Sequence, residues 1–164
     1  MQGRFDDDSG GAHLALVCRV QQRLCALPLA HVIETMRPLP TTTVAGAPPF
    51  VCGLAVIRGA AVPVLDAARL LCDADDEPGR FVMLALGASG TPGSRHVALA
   101  VGSVLGVRAI PPASLQALPP LLQDAGADAV ASIGLLDAEL LLVLQASRLL
   151  SDEAWAGLVA LRAA

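Results

Sequence analysis

The chain contains no tyrosine, one tryptophan and three phenylalanines, so aromatic residues make up 2% of its 164 positions. Proteins that hold single-stranded nucleic acid stack bases on aromatic rings, and no such platform exists here. Eleven Lys and Arg stand against 15 Asp and Glu, for a net charge of −4, which leaves no basic patch for a phosphate backbone. No nucleic-acid partner is expected.

Cysteine is sparse and badly spaced for chemistry. The four residues at 18, 25, 52 and 72 contain no C-x-x-C pair, so zinc-type spacing is missing. Cys18 and Cys25 would face each other in an N-terminal hairpin, and whether they ever pair is left open by the sequence. Their ordinary reading is as small buried hydrophobes.

No charge-free apolar run approaches the roughly 18 residues that span a bilayer. The opening MQGRFDDDSGG is polar and acidic, unlike a secretory signal, and residues 1–12 read as a disordered tail. The expectation is a cytoplasmic protein without direct membrane insertion. There is also no G-x-S-x-G, no H-E-x-x-H and no phosphate-cradling glycine loop. His13, His31 and His96 lie far apart and join no catalytic spacing. No cofactor, metal or catalytic residue is expected, and a small β-barrel enzyme is the different-class alternative with least support.

What is present is apolar. Hydrophobic residues reach 54% and charged ones only 16%, with 15 Gly and 12 Pro punctuating the chain. That composition fits many short strands joined by turns, hence a mainly β fold. Residues 13–20 alternate with period 2 and, after Gln21-Gln22, residues 23–29 continue as a second strand. Residues 80–86 are apolar on both faces and read as a central strand. Residues 96–101 and 104–110 are predicted to pair across Gly102-Ser103 as a two-residue hairpin. Residues 130–136 and 139–144 form a last hairpin about Asp137-Ala138. Ser151 caps a terminal helix over 151–162, with Asp152 and Glu153 in its first turn and Trp155 and Leu158 on its buried side.

The stretch 53–71, GLAVIRGAAVPVLDAARLL, reads as a hairpin about Arg58-Gly59 feeding a helical turn. Pro63 inside the second strand marks an edge or a bulge, and Asp66 is placed to cap the turn that follows. VLDAARLL at 64–71 recurs as VLQASRLL at 143–150, an offset of 79, and residues 23–32 lie over 95–104 at an offset of 72. Two copies of one small β unit are implied, with halves near 13–79 and 80–150. Polar residues present in one copy only are the functional candidates: Glu34 falls opposite Gly106, Asp66 opposite Gln145, and Arg58 near Asp137.

At this stretch the sequence resembles the CheW family of chemotaxis coupling proteins. The resemblance rests on Gly53, Ile57-Arg58-Gly59, Val62-Pro63-Val64-Leu65-Asp66 and Arg69-Leu70-Leu71, with Val32-Ile33-Glu34 and Ala47-Pro48-Pro49-Phe50-Val51 upstream. It extends over nearly all of residues 13–160, which are read as a single CheW-like domain. The Asn usual before the Leu-Arg-Gly of the family motif is Val56 here. The resemblance implies two SH3-like five-stranded barrels around a shared apolar core. It also implies a non-catalytic adaptor that joins the cytoplasmic tip of a methyl-accepting chemoreceptor to the regulatory domain of a CheA-type histidine kinase. Val32, Glu34, Arg58 and Gly59 are the expected partner-binding residues, and Pro63 and Asp66 structural ones. An adaptor of a pilus or surface-sensing pathway is the nearest alternative.

Overall fold

A computed structural model of the chain describes residues 13–72, 74, 77–86, 95–118 and 129–162. The tail 1–12 lies outside them. Eleven strands form within these residues: β1 (His13–Val20), β2 (Arg23–Pro28), β3 (Val32–Met36), β4 (Val51–Ile57), β5 (Ala60–Asp66), β6 (Arg80–Ala85), β7 (His96–Val101), β8 (Ser103–Ile110), β9 (Leu115–Ala117), β10 (Val130–Leu136) and β11 (Glu139–Leu144). Helix α1 (Ala67–Cys72) follows β5, and α2 (Asp152–Arg162) closes the described chain.

The strands make two mixed sheets. One runs β8-β1-β2-β11-β10-β9 and the other β3-β6-β7-β5-β4. All neighbours are antiparallel except β2 with β11 and β5 with β7. The hairpins predicted about residues 21–22, 58–59 and 137–138 form as read, and β6 is central as its two apolar faces required.

Two expectations are corrected. Residues 96–101 and 104–110 are not a hairpin: β7 belongs to the second sheet and β8 pairs with β1 in the first. Gly102 is a corner where the chain passes between sheets. Its N–H reaches the Arg19 carbonyl at 3.0 Å, and its own carbonyl lies so close to Gly79 that a Cβ there would sit 2.0 Å away. The halves 13–79 and 80–150 also do not correspond to the two sheets, because β1 and β2 join the strands of the second half.

The repeat explains this. In order along each copy, β1, β2, β3, β4 and β5 correspond to β6, β7, β8, β10 and β11. The first sheet without β9 then matches the second strand for strand. Each copy gives its opening hairpin to one sheet and its remaining three strands to the other, so the duplication is interleaved.

Alternation along each strand sorts the apolar residues into three cores. Leu16, Cys18 and Val20 of β1, with Val82 and Leu84 of β6, enter a shared core between the sheets, which α2 covers with Leu158 and Trp155. Ala15 and Val17 face the interior of the first sheet, and Phe81, Met83, Ala98 and Ala100 that of the second. Those small interiors are filled by aliphatic side chains, many of them Ala and Val, with Phe81 as the one buried aromatic residue.

Arg95, just before β7, bolts α2 down. Its Nη1 lies 2.6 Å from an Asp152 carboxylate oxygen and its guanidinium sits 5.4 Å from the centre of the Trp155 ring.

Cys18 and Cys25 stand directly opposite each other on β1 and β2, buried and free. Burial pushes both thiols up to about 12, and for Cys25 the neighbouring Cys18 and Cys72 add to the effect. Since the thiolate is the nucleophile, both should resist iodoacetamide at pH 8 until the chain unfolds. Peptide mass spectrometry of the labelled protein checks this; rapid native labelling of either would mean that the β1–β2 seam opens readily.

Candidate partner-docking surface

The β4–β5 turn needs two residues with positive φ, and Arg58 (51°) and Gly59 (79°) supply them. This is the geometry whose twist matches a hairpin. It throws the Arg58 side chain outward from the end of the second sheet. Glu34 reaches the same place from β3, at the opposite edge of that sheet. Just before it, Ile33 is an extra residue in the ladder with β6, where the register shifts between Val32 and Glu34.

The two charges meet. Arg58 Nε donates to Glu34 Oε1 at 2.7 Å and Arg58 Nη2 to Oε2 at 2.5 Å, a bidentate fork linking the outer strand β3 to the turn that follows the other outer strand, β4. The Arg58 hydrogen bond holds the Glu34 carboxyl below its ordinary value, and the same bond raises Arg58. A depressed carboxyl contributes its stabilisation above the unfolded value and loses it as pH falls through the folded one. The fork is therefore intact at neutral pH and opens only in acid.

Arg58 remains 74% exposed and Glu34 26%. Two apolar side chains flank them, Val56 at 73% and Ile33 at 46% exposure. A charged fork between exposed apolar residues on a sheet edge suits contact with another protein. Neither Val56 nor Ile33 is among the partner-binding residues expected from the sequence, where Val56 stands out only as the departure from the motif's Asn.

The other expected residues divide by position. Gly59 is exposed beside Arg58, with open space where a Cβ would stand. Val32 is half-buried and packs against the shared core, so it supports the surface rather than presenting itself. Asp66 accepts the Ala68 and Arg69 N–H groups at 3.0 and 3.4 Å and so caps α1. Pro63 is buried on β5, which lies between β4 and β7, so it is not on an edge strand. The parallel ladder with β7 begins only at Val64, and the bulge lies on β4 between Val51 and Gly53. Among the described residues no group of three or more His, Cys, Asp and Glu is arranged to hold a metal, and no helix is long and apolar enough to cross a membrane.

The CheW-like domain model matches residues 14–154, almost the whole described chain. The chain belongs to the CheW-like family. A curated relative is the protein FrzA of Myxococcus xanthus, 34% identical over 115 residues; the match covers 67% of this chain and 66% of FrzA, just under two thirds of that protein. Among solved structures, the scaffolding protein TtCheW of Thermoanaerobacter tengcongensis superposes with a TM-score of 0.68 at 20% identity, covering 81% of this chain and 88% of that one. The mainly β fold is thus that of a CheW protein, two SH3-like barrels, one per sheet.

Proposed function

We propose that this chain is the cytoplasmic adaptor that couples a methyl-accepting chemoreceptor to a CheA-type histidine kinase. The observation that carries the reading is the exposed Arg58–Glu34 fork between Val56 and Ile33 at the edge of the second-sheet barrel. Family membership supplies the class of protein, and the fork supplies a surface with both charge and apolar area. One partner contacts this face through Glu34, Arg58 and Gly59, with Val32 behind them. The other docks on the strand edges and turns of the opposite barrel, where sheet edges offer unpaired backbone groups. In this reading the first face serves the receptor and the second the kinase regulatory domain.

Arg58→Glu places a like charge against Glu34 at an exposed position, so it should leave the circular dichroism spectrum intact while abolishing receptor capture in a pull-down. Retained binding of both receptor and kinase by a folded variant would remove Arg58 from the docking surface.

A further inference from the structure

Helix α2 belongs to neither sheet and leans on the shared core through its side chains. Leu158 is buried, Trp155 and Ala154 are half-buried, and all three pack against that core. Asp152, Glu153, Ala156 and Gly157 face solvent. The joint to the body is Ser151, exposed directly after the buried Leu150. Its Oγ accepts the Ala154 N–H at 3.1 Å and its carbonyl the Trp155 N–H at 2.9 Å, so the first turn is secured to the joint itself.

A helix of this length is marginal in water on its own, so α2 persists only while its apolar side is seated. Gly157 weakens it further. A Cβ there would meet nothing within 4 Å, and its φ lies outside the left-handed region, so nothing steric calls for glycine where alanine would hold the helix better. The latch is also on the surface. It consists of the Arg95 ion pair with Asp152, whose side chain is 93% exposed, and of the Arg95 guanidinium over the Trp155 ring. Contacts so exposed to solvent hold weakly.

We propose that α2 is a detachable cover over an apolar seat on the shared core, and that an amphipathic helix of a partner protein takes its place. The present occupant defines the chemistry of its replacement. An acidic residue meets Arg95, an aromatic ring three positions on lies against the guanidinium, and a leucine three beyond that fills the buried site, as Asp152, Trp155 and Leu158 do now. Cover and partner compete for one seat, so the docked fraction of α2 sets the partner's apparent affinity. Gly157 handicaps the cover, and a partner helix with a better helix former there displaces it. The inference needs only the fold and stands independently of the adaptor reading.

The probe is a fluorescein-labelled synthetic peptide of residues 151–162 carrying Gly157→Ala, added to the full chain. Anisotropy reads its binding to wild type, to Gly157→Ala, which strengthens the cover, and to Trp155→Ala/Leu158→Ala, which unseats it. Amide exchange and sedimentation of the free chains run alongside. Relative to wild type, the peptide should bind the double variant about tenfold more tightly and Gly157→Ala about fivefold more weakly. In wild type the α2 amides should exchange at least about tenfold faster than those of β7. If the double variant fails to fold, the comparison of wild type with Gly157→Ala decides alone. Peptide that binds none of these chains, or equal binding to wild type and Gly157→Ala, overturns the proposal. So do α2 amides that exchange only as slowly as those of β7, because the cover then opens only with the whole fold. Self-association of the wild type that Trp155→Ala/Leu158→Ala loses overturns the choice of partner, by assigning the seat to α2 of a second copy.

Discussion

Leu99→Ala should lower the unfolding free energy by about 2–5 kcal/mol, the usual range for emptying a filled leucine site in a core. Leu99 is 1% exposed on β7, the middle strand of its sheet, with Leu65 of β5 and Val82 of β6 in register on either side. All three enter the shared core on which both sheets and α2 lean. Strands on both flanks fix the backbone, so the hole cannot close by moving one element, which favours the upper part of the range. In a chain of this size each kcal/mol moves the thermal midpoint by roughly 2–4 °C. Urea titration followed by far-UV circular dichroism measures the loss. Leu135→Ala provides the contrast, because that side chain is 65% exposed and its removal should change stability by no more than about 0.5 kcal/mol. A Leu99→Ala loss as small as that of Leu135→Ala would show that the shared core is loosely packed.

Gly53→Ala should cost about 2–4 kcal/mol for a different reason. Gly53 has φ of 144°, and a Cβ on it would stand 2.2 Å from the Thr42 carbonyl oxygen and 2.7 Å from its carbon. Both clashing atoms are backbone, so no side-chain rotation relieves them. The segment carrying Thr42 must leave the edge of β4, breaking the bonds from Thr42 N to Leu54 O (2.8 Å) and from Leu54 N to Thr42 O (2.9 Å). Amide hydrogen exchange should report the Thr42 and Leu54 protons as fast in the variant, while those of β7 stay protected. Wild-type protection at both positions would show that the edge adjusts to the methyl group.

Much of the fold was legible because period-2 alternation and turn residues act locally. The hairpins about Gln21-Gln22, Arg58-Gly59 and Asp137-Ala138 were set by their own side chains. The failure at Gly102-Ser103 is instructive: two strands separated by a glycine look alike whether the chain turns back or passes to another sheet. Only the close approach of Gly79, far off in sequence, makes the latter the outcome. For the same reason the repeat was visible and its interleaving was not, since offsets of 72 and 79 relate equivalent residues without saying which sheet each joins.

The surface was legible in part. Glu34 and Arg58 were candidates because their copies differ from them, and the bidentate fork joins them. Asp66 was readable as a cap from its place after a strand. Its counterpart Gln145 precedes only a short 3-10 turn, Ala146–Arg148, and makes no side-chain cap bond to it.

The interleaving also sets the order in which the chain can be completed as it leaves the ribosome. The sheet β3-β6-β7-β5-β4 draws only on residues 32–101, so all its strands are available once β7 has emerged. The β1–β2 hairpin is made first, yet its neighbours β8 and β11 end at Ile110 and Leu144. Leu16, Leu27 and their neighbours must therefore wait, without their final cover, until the strands through β11 have been synthesised. The first of the described hairpins to be translated is thus among the last to be buried, and its apolar face is the one exposed longest in the nascent chain.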